Sequence, residues 1–248
     1  MSLQRLDKYI ATQAAVPRKE ATRLIRVGRV TVDGRVVRDP AAKADPAAQA
    51  IALDGQPLAY RAHLYLMLHK PAGILCVSRD PGAPTVLDLV PPPLRRRGLF
   101  PAGRLDKDTT GLVLLTDDGD WGHRLTAPKK EIYKVYRARL DAPVTPDMIR
   151  AFAEGTALPD GTPCRPARLT VLEPGDRPLA EIAVCEGKYH QIKRMFGTHG
   201  CGVLSLSRLS IGGLCLDEDL PEGGCRELTE DEKAAVFSSN PPAFTEIL

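Results

Sequence analysis

The apolar run Leu112-Val113-Leu114-Leu115 constrains this chain most, because of what stands directly before it. Four aliphatic residues without a polar break suit a strand buried on both faces. Immediately upstream lies Gly103-Arg104-Leu105-Asp106-Lys107-Asp108-Thr109-Thr110-Gly111, which carries two cations and two carboxylates and has a glycine at each end. The fold must therefore hold a charged loop on a strand that cannot move freely. Reactive side chains are held rigid by such an arrangement. The plain alternative is a solvated turn in which Asp and Thr bond the backbone.

A chain of 248 residues, 43% of them hydrophobic, has room for one large domain or two smaller ones with a proper core. No window approaches the run of about 18 apolar residues that a membrane-spanning helix needs. Met1-Ser2-Leu3-Gln4-Arg5-Leu6 lacks the apolar centre of a signal peptide. These features predict a cytoplasmic protein with no membrane partner. The cysteines at 76, 164, 185, 201, 215 and 225 are scattered and none are spaced C-x-x-C, which argues against zinc and suits a reducing compartment. There is no phosphate-binding glycine loop either, so the expectation is a protein without metal or cofactor. The net charge of +3 is unevenly spread: residues 1–38 hold nine Lys and Arg against three acids. Such asymmetry predicts a small basic module that meets a polyanion, joined to a near-neutral body.

Leu3, Leu6 and Ile10 recur at helical spacing, and Pro17 suits the first turn of a second helix that Gly28 ends. In that second helix Ala21, Leu24 and Ile25 share one face and Lys19, Arg23 and Arg26 the other. Stacked like charges slightly destabilise an isolated helix, so a phosphate partner is a reason for them; a solvated stripe is the alternative. Val30-Thr31-Val32 and Arg35-Val36-Val37 flank Asp33-Gly34, a strong hairpin signal. This helix, basic helix and hairpin resemble the S4 RNA-binding domain, through Arg5-Leu6-Asp7-Lys8 and Ile25-x-x-Gly28-x-Val30-x-Val32-Asp33-Gly34. Pro17 departs from the pattern, since a Ser cap is common before Arg18. The resemblance implies RNA binding by shape and phosphate contacts, with Arg5, Lys8, Arg18, Lys19, Arg23 and Arg26 as candidates.

Beyond a boundary near 59–63, strands are expected at 64–68, 132–140, 167–173, 180–185 and 201–211, and helices at 145–154, 188–196 and 229–237. Residues 81–101, rich in proline and carrying Arg95-Arg96-Arg97, read as a long surface loop. Tyr136 falls on the more apolar side of its strand and is expected to point inward. Asp108 reads as a turn-stabilising acid that points away from Asp106.

Two distant stretches then agree with one family. Gly103-Arg104-Leu105-Asp106-x-Asp108-Thr109-Thr110-Gly111-Leu112 resembles the catalytic loop of the pseudouridine synthases, and Gly187-x-Tyr189-His190-Gln191-Ile192-Lys193-Arg194-Met195 resembles their second signature. Lys134-x-Tyr136 and Ile211-Gly212-Gly213-x-x-Leu216 also fit, in the same order. The Tyr-His-Gln-Ile-Lys-Arg-Met form resembles the bacterial small-subunit ribosomal RNA branch.

The resemblance implies an α+β fold: an S4 domain over 1–59 and a catalytic domain over 60–248, built on a mixed, mainly antiparallel sheet with flanking helices and a loose tail at 238–248. It implies an isomerase that cleaves the N1–C1′ bond of a uridine, rotates the base and rejoins it through C5, with uridine-516 of 16S RNA or an assembling 30S particle as the expected target of a monomer. Asp106 would be the catalytic carboxylate, by attack on C1′, by attack on C6 or as a base. Tyr136 would lie against the base and Lys193 against Asp106. Arg104 would fill the place of the flipped base, and His190 and Arg194 would join it in contacting RNA. A large-subunit RNA synthase is the nearest competing reading. A non-catalytic S4 assembly factor is the competitor from another class.

Overall fold

The computed structural model describes residues 3–58 and 60–238. It divides into two compact units: residues up to Leu64 together with Pro91–Leu99, and Tyr65–Val90 together with the chain from Phe100 onward. The expected boundary at 59/60 falls on Ala59, and all of the expected tail except Ser238 lies outside the described residues.

In the first unit β1 (Gln4–Arg5) leads into α1 (Leu6–Gln13) and α2 (Arg18–Arg26), followed by β2 (Val30–Val32), β3 (Arg35–Val36), β4 (Lys43–Ala44), β5 (Ile51–Leu53) and β6 (Gln56–Pro57). Asp33 and Gly34, at φ 50° and 78°, and Asp54 and Gly55, at 52° and 77°, supply the paired positive dihedrals of tight hairpin turns. The four strands run in the order β3-β2-β5-β6, and β1 pairs with β4. Leu6, Tyr9 and Ile10 of α1 and Ala21 and Ile25 of α2 close on Val30 and Ile51 as one small core. Burying these faces turns Lys8, Lys19, Arg23 and Arg26 outward.

The second unit is organised by β7 (Tyr65–Lys70), β8 (Phe100–Pro101), β9 (Thr110–Thr116), α3 (Gly119–Thr126), β10 (Lys134–Leu140), α4 (Pro146–Glu154), β11 (Arg168–Glu173), β12 (Leu179–Val184), α5 (Gln191–Gly197), β13 (Val203–Ile211), β14 (Leu214–Cys215), β15 (Cys225–Glu227) and α6 (Glu230–Ala235). The sheet order is β11-β12-β10-β13-β9-β7-β15, with β14 on β13 and β8 on β9. Its pairs are antiparallel apart from β13 with β9. This is the α+β class expected, with a mixed and mainly antiparallel sheet. The apolar run sits where its composition demanded: residues 112–115 of β9 are fully buried, between β7 and β13.

Two elements differ from the sequence reading. Residues 81–101 do not form a free surface loop, since Thr85, Val86, Val90 and Leu99 are buried. Thr85 bridges to Leu75, and Pro91–Leu99 groups with the first unit. The proline spacing hid these anchors, because they comprise one threonine and three apolar residues that follow no regular period. The helix expected over 188–196 begins only at Gln191, because His190 takes a left-handed conformation at φ 47° and acts as its N-cap.

The parallel contact between β13 and β9 depends on one glycine. Gly111 pairs with Arg208 at φ 100°, and a Cβ there would lie 2.3 Å from the Arg208 carbonyl oxygen. A methyl group has no room and an L-residue resists that dihedral. Gly111→Ala is therefore expected to cost roughly 2–4 kcal/mol of stability, read as a lowered urea midpoint. A midpoint within error of the unsubstituted protein contradicts this close approach.

Candidate active site

The charged loop between β8 and β9 is held from below by a lysine. Lys70 ends β7 and is completely buried. Its ammonium donates to the carbonyl oxygens of Pro71 at 3.0 Å, Lys107 at 3.0 Å and Thr109 at 2.8 Å. The last two carbonyls bracket Asp108, so one cation fixes the turn from both sides. Burial pushes the Lys70 amine below the ordinary lysine value, against smaller opposing contributions that include Asp108 and Asp106. The Thr109 amide closes the turn onto the Asp106 carbonyl at 3.2 Å.

Because residues 106–109 turn rather than extend, both carboxylates reach one partner. Lys193 of α5 places Nζ 3.3 Å from Asp106 Oδ2 and 2.6 Å from Asp108 Oδ1. Asp108 thus does not point away, as the sequence reading had it; it shares the lysine with Asp106. The two differ in exposure: the Asp106 side chain is 25% exposed and that of Asp108 72%. The Lys193 hydrogen bond holds the Asp108 carboxyl below its usual range. Burial works against the charge on Lys193, but the two aspartates outweigh it and its ammonium is held above the ordinary value. His190, the N-cap of α5, places Nε2 3.5 Å from Asp106 Oδ1.

Tyr136 is brought in by register. On β10 it pairs with Arg208 of β13, and Arg208 pairs with Gly111 of β9, so three adjacent strands place the tyrosine, the arginine and the end of the charged loop in one row. Tyr136 is buried, as its inward parity predicted. Arg208, 3% exposed, donates from Nε to the Leu112 carbonyl at 2.7 Å and from Nη1 to the Tyr136 hydroxyl at 3.4 Å. A phenol oxygen that accepts this bond leaves its own hydrogen free to point elsewhere. Lys70 and Arg208 were both missed in the sequence. A lysine before Pro-x-Gly looks like a turn residue, and one arginine in an alternating strand looks exposed. The usable signal was Arg208 sharing its strand parity with Leu204 and Leu206.

Arg104, Leu105, Asp106, Thr109, Tyr136 and Lys193 line a cavity of about 80 Å³, with Glu186 to Lys188 and His190 to Ile192 as its other wall. Among the described residues no three His, Cys, Asp or Glu side chains converge as a metal site. The cavity therefore presents the Asp106 carboxylate between Lys193 and the His190 imidazole, the Tyr136 phenol, and an exposed arginine, while Glu186 in the other wall is paired with Lys188. This set can attack or deprotonate a flat, uncharged ligand and can bear the charge that develops.

The RNA pseudouridylate synthase family matches residues 64–198, and the S4 domain matches residues 4–49. The ribosomal small subunit pseudouridine synthase A of Escherichia coli strain K12 is 47% identical over 234 residues, covering 94% of this chain and 99% of the relative. The chain belongs to the RNA pseudouridylate synthase family. The enzyme of the same description from Salmonella typhimurium is 46% identical over an equal span. A solved pseudouridylate synthase structure aligns with a TM-score of 0.65 at 39% identity, covering 94% of this chain and 99% of that one.

The S4 domain of this synthase uses some of its expected RNA-binding cations internally. Arg5 and Arg18 both fork onto Asp7, at 2.9 and 3.0 Å, and Arg23 pairs with Glu20 at 2.6 Å. Lys8, Lys19 and Arg26 are exposed and make no ion pair with a described residue. In the catalytic unit Arg194 is tied to Asp160 at 2.5 Å, while Arg104 stands exposed at the cavity.

Two outcomes follow from these geometries. Lys70→Met leaves three carbonyls, that of Thr109 buried, without their donor and loosens the turn. The synthase is expected to lose about 10–100-fold in kcat with RNA affinity within a few-fold, measured by turnover and filter binding; an unaltered kcat would refute the brace. The Arg5 hydrogen bond, with Arg18, holds the Asp7 carboxyl below its usual range against the effect of burial. A carboxyl depressed in the folded state adds stability above its unfolded pKa and loses it as pH falls through the folded one. Asp7→Asn should thus weaken the S4 domain near neutral pH and flatten its acid loss below about pH 4. Urea midpoints across that range check this, and identical slopes for the two proteins would count against it.

Proposed function

We propose that this synthase converts a uridine of small-subunit ribosomal RNA, uridine-516, to pseudouridine with Asp106 as the catalytic carboxylate, acting as a monomer. The observation that carries the reading is Asp106 itself, a partly buried carboxylate held between Lys193 and His190 at a cavity that Tyr136 walls. The relatives named as small-subunit synthases, aligned over 94% of the chain, support the choice of target.

The reaction is a balanced isomerisation. The N1–C1′ bond breaks, the uracil turns, C5 bonds to C1′, the C5 proton leaves, and N1 takes up a proton. It needs no oxidant or cofactor. The target uridine flips out of its stack to enter the cavity. Arg104, exposed at the edge, occupies the vacated place: its plane stacks and its charge meets phosphate. Tyr136 lies against the base. Lys193 fixes Asp106 in position and balances its charge. The S4 domain grips the RNA backbone through Lys8, Lys19 and Arg26, with Arg23 alongside, while His190 at the cavity contacts the RNA and Arg194, paired with Asp160, supports it from α5.

Asp106→Asn keeps the shape of the site and removes the reacting charge. Pseudouridine formation on a small-subunit RNA transcript is expected to fall by at least about 10⁴-fold, with binding within a few-fold. Turnover near the unsubstituted rate would eliminate Asp106 as the catalytic group. Mapping pseudouridines in ribosomal RNA from cells with and without the gene decides the target: loss of a large-subunit site instead of uridine-516 selects the competing reading.

A further inference from the structure

Tyr189 is the most exposed of the large hydrophobic side chains in the described residues, at 76%. It is neither loose nor isolated. Its ring stacks on His190 with centroids 3.9 Å apart and planes 17° from parallel, and His190 in turn reaches Asp106. The loop beneath is braced. Buried Gln191 accepts from the Lys188 amide at 2.9 Å and donates to Glu186 Oε1 at 2.7 Å. Arg194 donates to the Tyr189 carbonyl at 3.4 Å. His190 is held at a positive φ, a conformation that costs about 1 kcal/mol or more in a non-glycine residue and persists only where the surroundings enforce it. A structural core gains nothing from this strain, because one face of the outer ring is left in water.

We propose that Tyr189, stacked on His190, is a platform for an unpaired nucleobase of the substrate RNA next to the uridine being isomerised. A flipped uridine leaves its neighbours without one stacking partner. An aromatic ring already fixed in place replaces that partner at little entropic cost, and it accepts any base because every base has a π-face. The phenol stacks on the imidazole whose ring nitrogen reaches Asp106, so a base on the open face of Tyr189 extends the aromatic stack outward from the residue beside the carboxylate. Charge does not explain the site. Lys188 is paired with Glu186 and Arg194 with Asp160, so the cations beside the ring are already engaged. The ring face is what is offered, and Arg104 supplies the exposed cation at the same cavity.

This inference rests on the reading of RNA as substrate, and its test separates the two. Release of tritium from C5-labelled uridine in a small-subunit RNA transcript is followed for the unsubstituted enzyme, Tyr189→Phe and Tyr189→Ala. Tyr189→Ala is expected to raise KM about 5–100-fold with kcat little changed, and Tyr189→Phe to match the unsubstituted enzyme. The dependence of affinity on salt should keep its slope, because no phosphate contact is lost. An unchanged KM in Tyr189→Ala overturns the platform. So does a fall in kcat at constant KM, which would make the pair a support for Asp106, and so does an equal loss in Tyr189→Phe, which would assign the effect to the hydroxyl. If the unsubstituted enzyme releases no tritium from this transcript, the proposed target fails and the platform is judged by filter binding of a short oligouridylate. Equal affinities of the unsubstituted enzyme and Tyr189→Ala then overturn it.

Discussion

A single buried ammonium underlies the site. Removing a charge from water costs several kcal/mol, and proteins tolerate it only where polar groups replace the lost hydration. Lys70 finds three carbonyl oxygens, and two of them belong to the turn that carries Asp106 and Asp108. The dependence is mutual. Without the turn the cation has too few partners, and without the cation the turn loses the clamp that brings both carboxylates to Lys193. The position of α5 against the loop is thus tied to a residue at the far end of a neighbouring strand.

The sheet supplies the rest by register. Asp106 precedes β9, Arg208 lies within β13, Tyr136 lies within β10, and Lys193 follows β12; these four strands are neighbours. Each side chain arrives from a different stretch of sequence, yet none needs a long or flexible reach. The parallel pairing of β9 with β13, at Gly111 and Arg208, brings the end of the charged loop beside the tyrosine's partner. A side chain at position 111 would wedge those strands apart, so the glycine is as much part of the site as the carboxylate.

Much of this was legible in the sequence. The apolar run located β9, Asp33-Gly34 located the first hairpin of the S4 domain, and the agreement between residues 103–112 and 187–195 located the two sides of the cavity. What was not legible depends on tertiary partners. Arg5 and Arg18 look like phosphate ligands until Asp7 is seen buried beneath them. Asp108 reads as a bystander until the turn brings it to Lys193. Lys70 and Arg208 have no signature, because a buried cation differs from an exposed one only in what surrounds it. His190 was placed inside a helix because its neighbours favour one, whereas contacts with Asp106 and Tyr189 accompany a conformation no helix contains.

The division of the chain has a consequence for how the enzyme is taken apart. The polypeptide leaves the S4 unit at Leu64, returns to it for Pro91–Leu99 and leaves again three residues before Gly103. The RNA-binding unit is therefore not a bead on a string. One proteolytic cut after Leu64 does not release it, since residues 91–99 still belong to it. A gene shortened to begin at Tyr65 would leave nine residues without the body they group with, directly upstream of the charged turn. Such a chain tests the loss of that support as much as the loss of an RNA grip, and the seam that frees a working catalytic body does not lie at a single peptide bond.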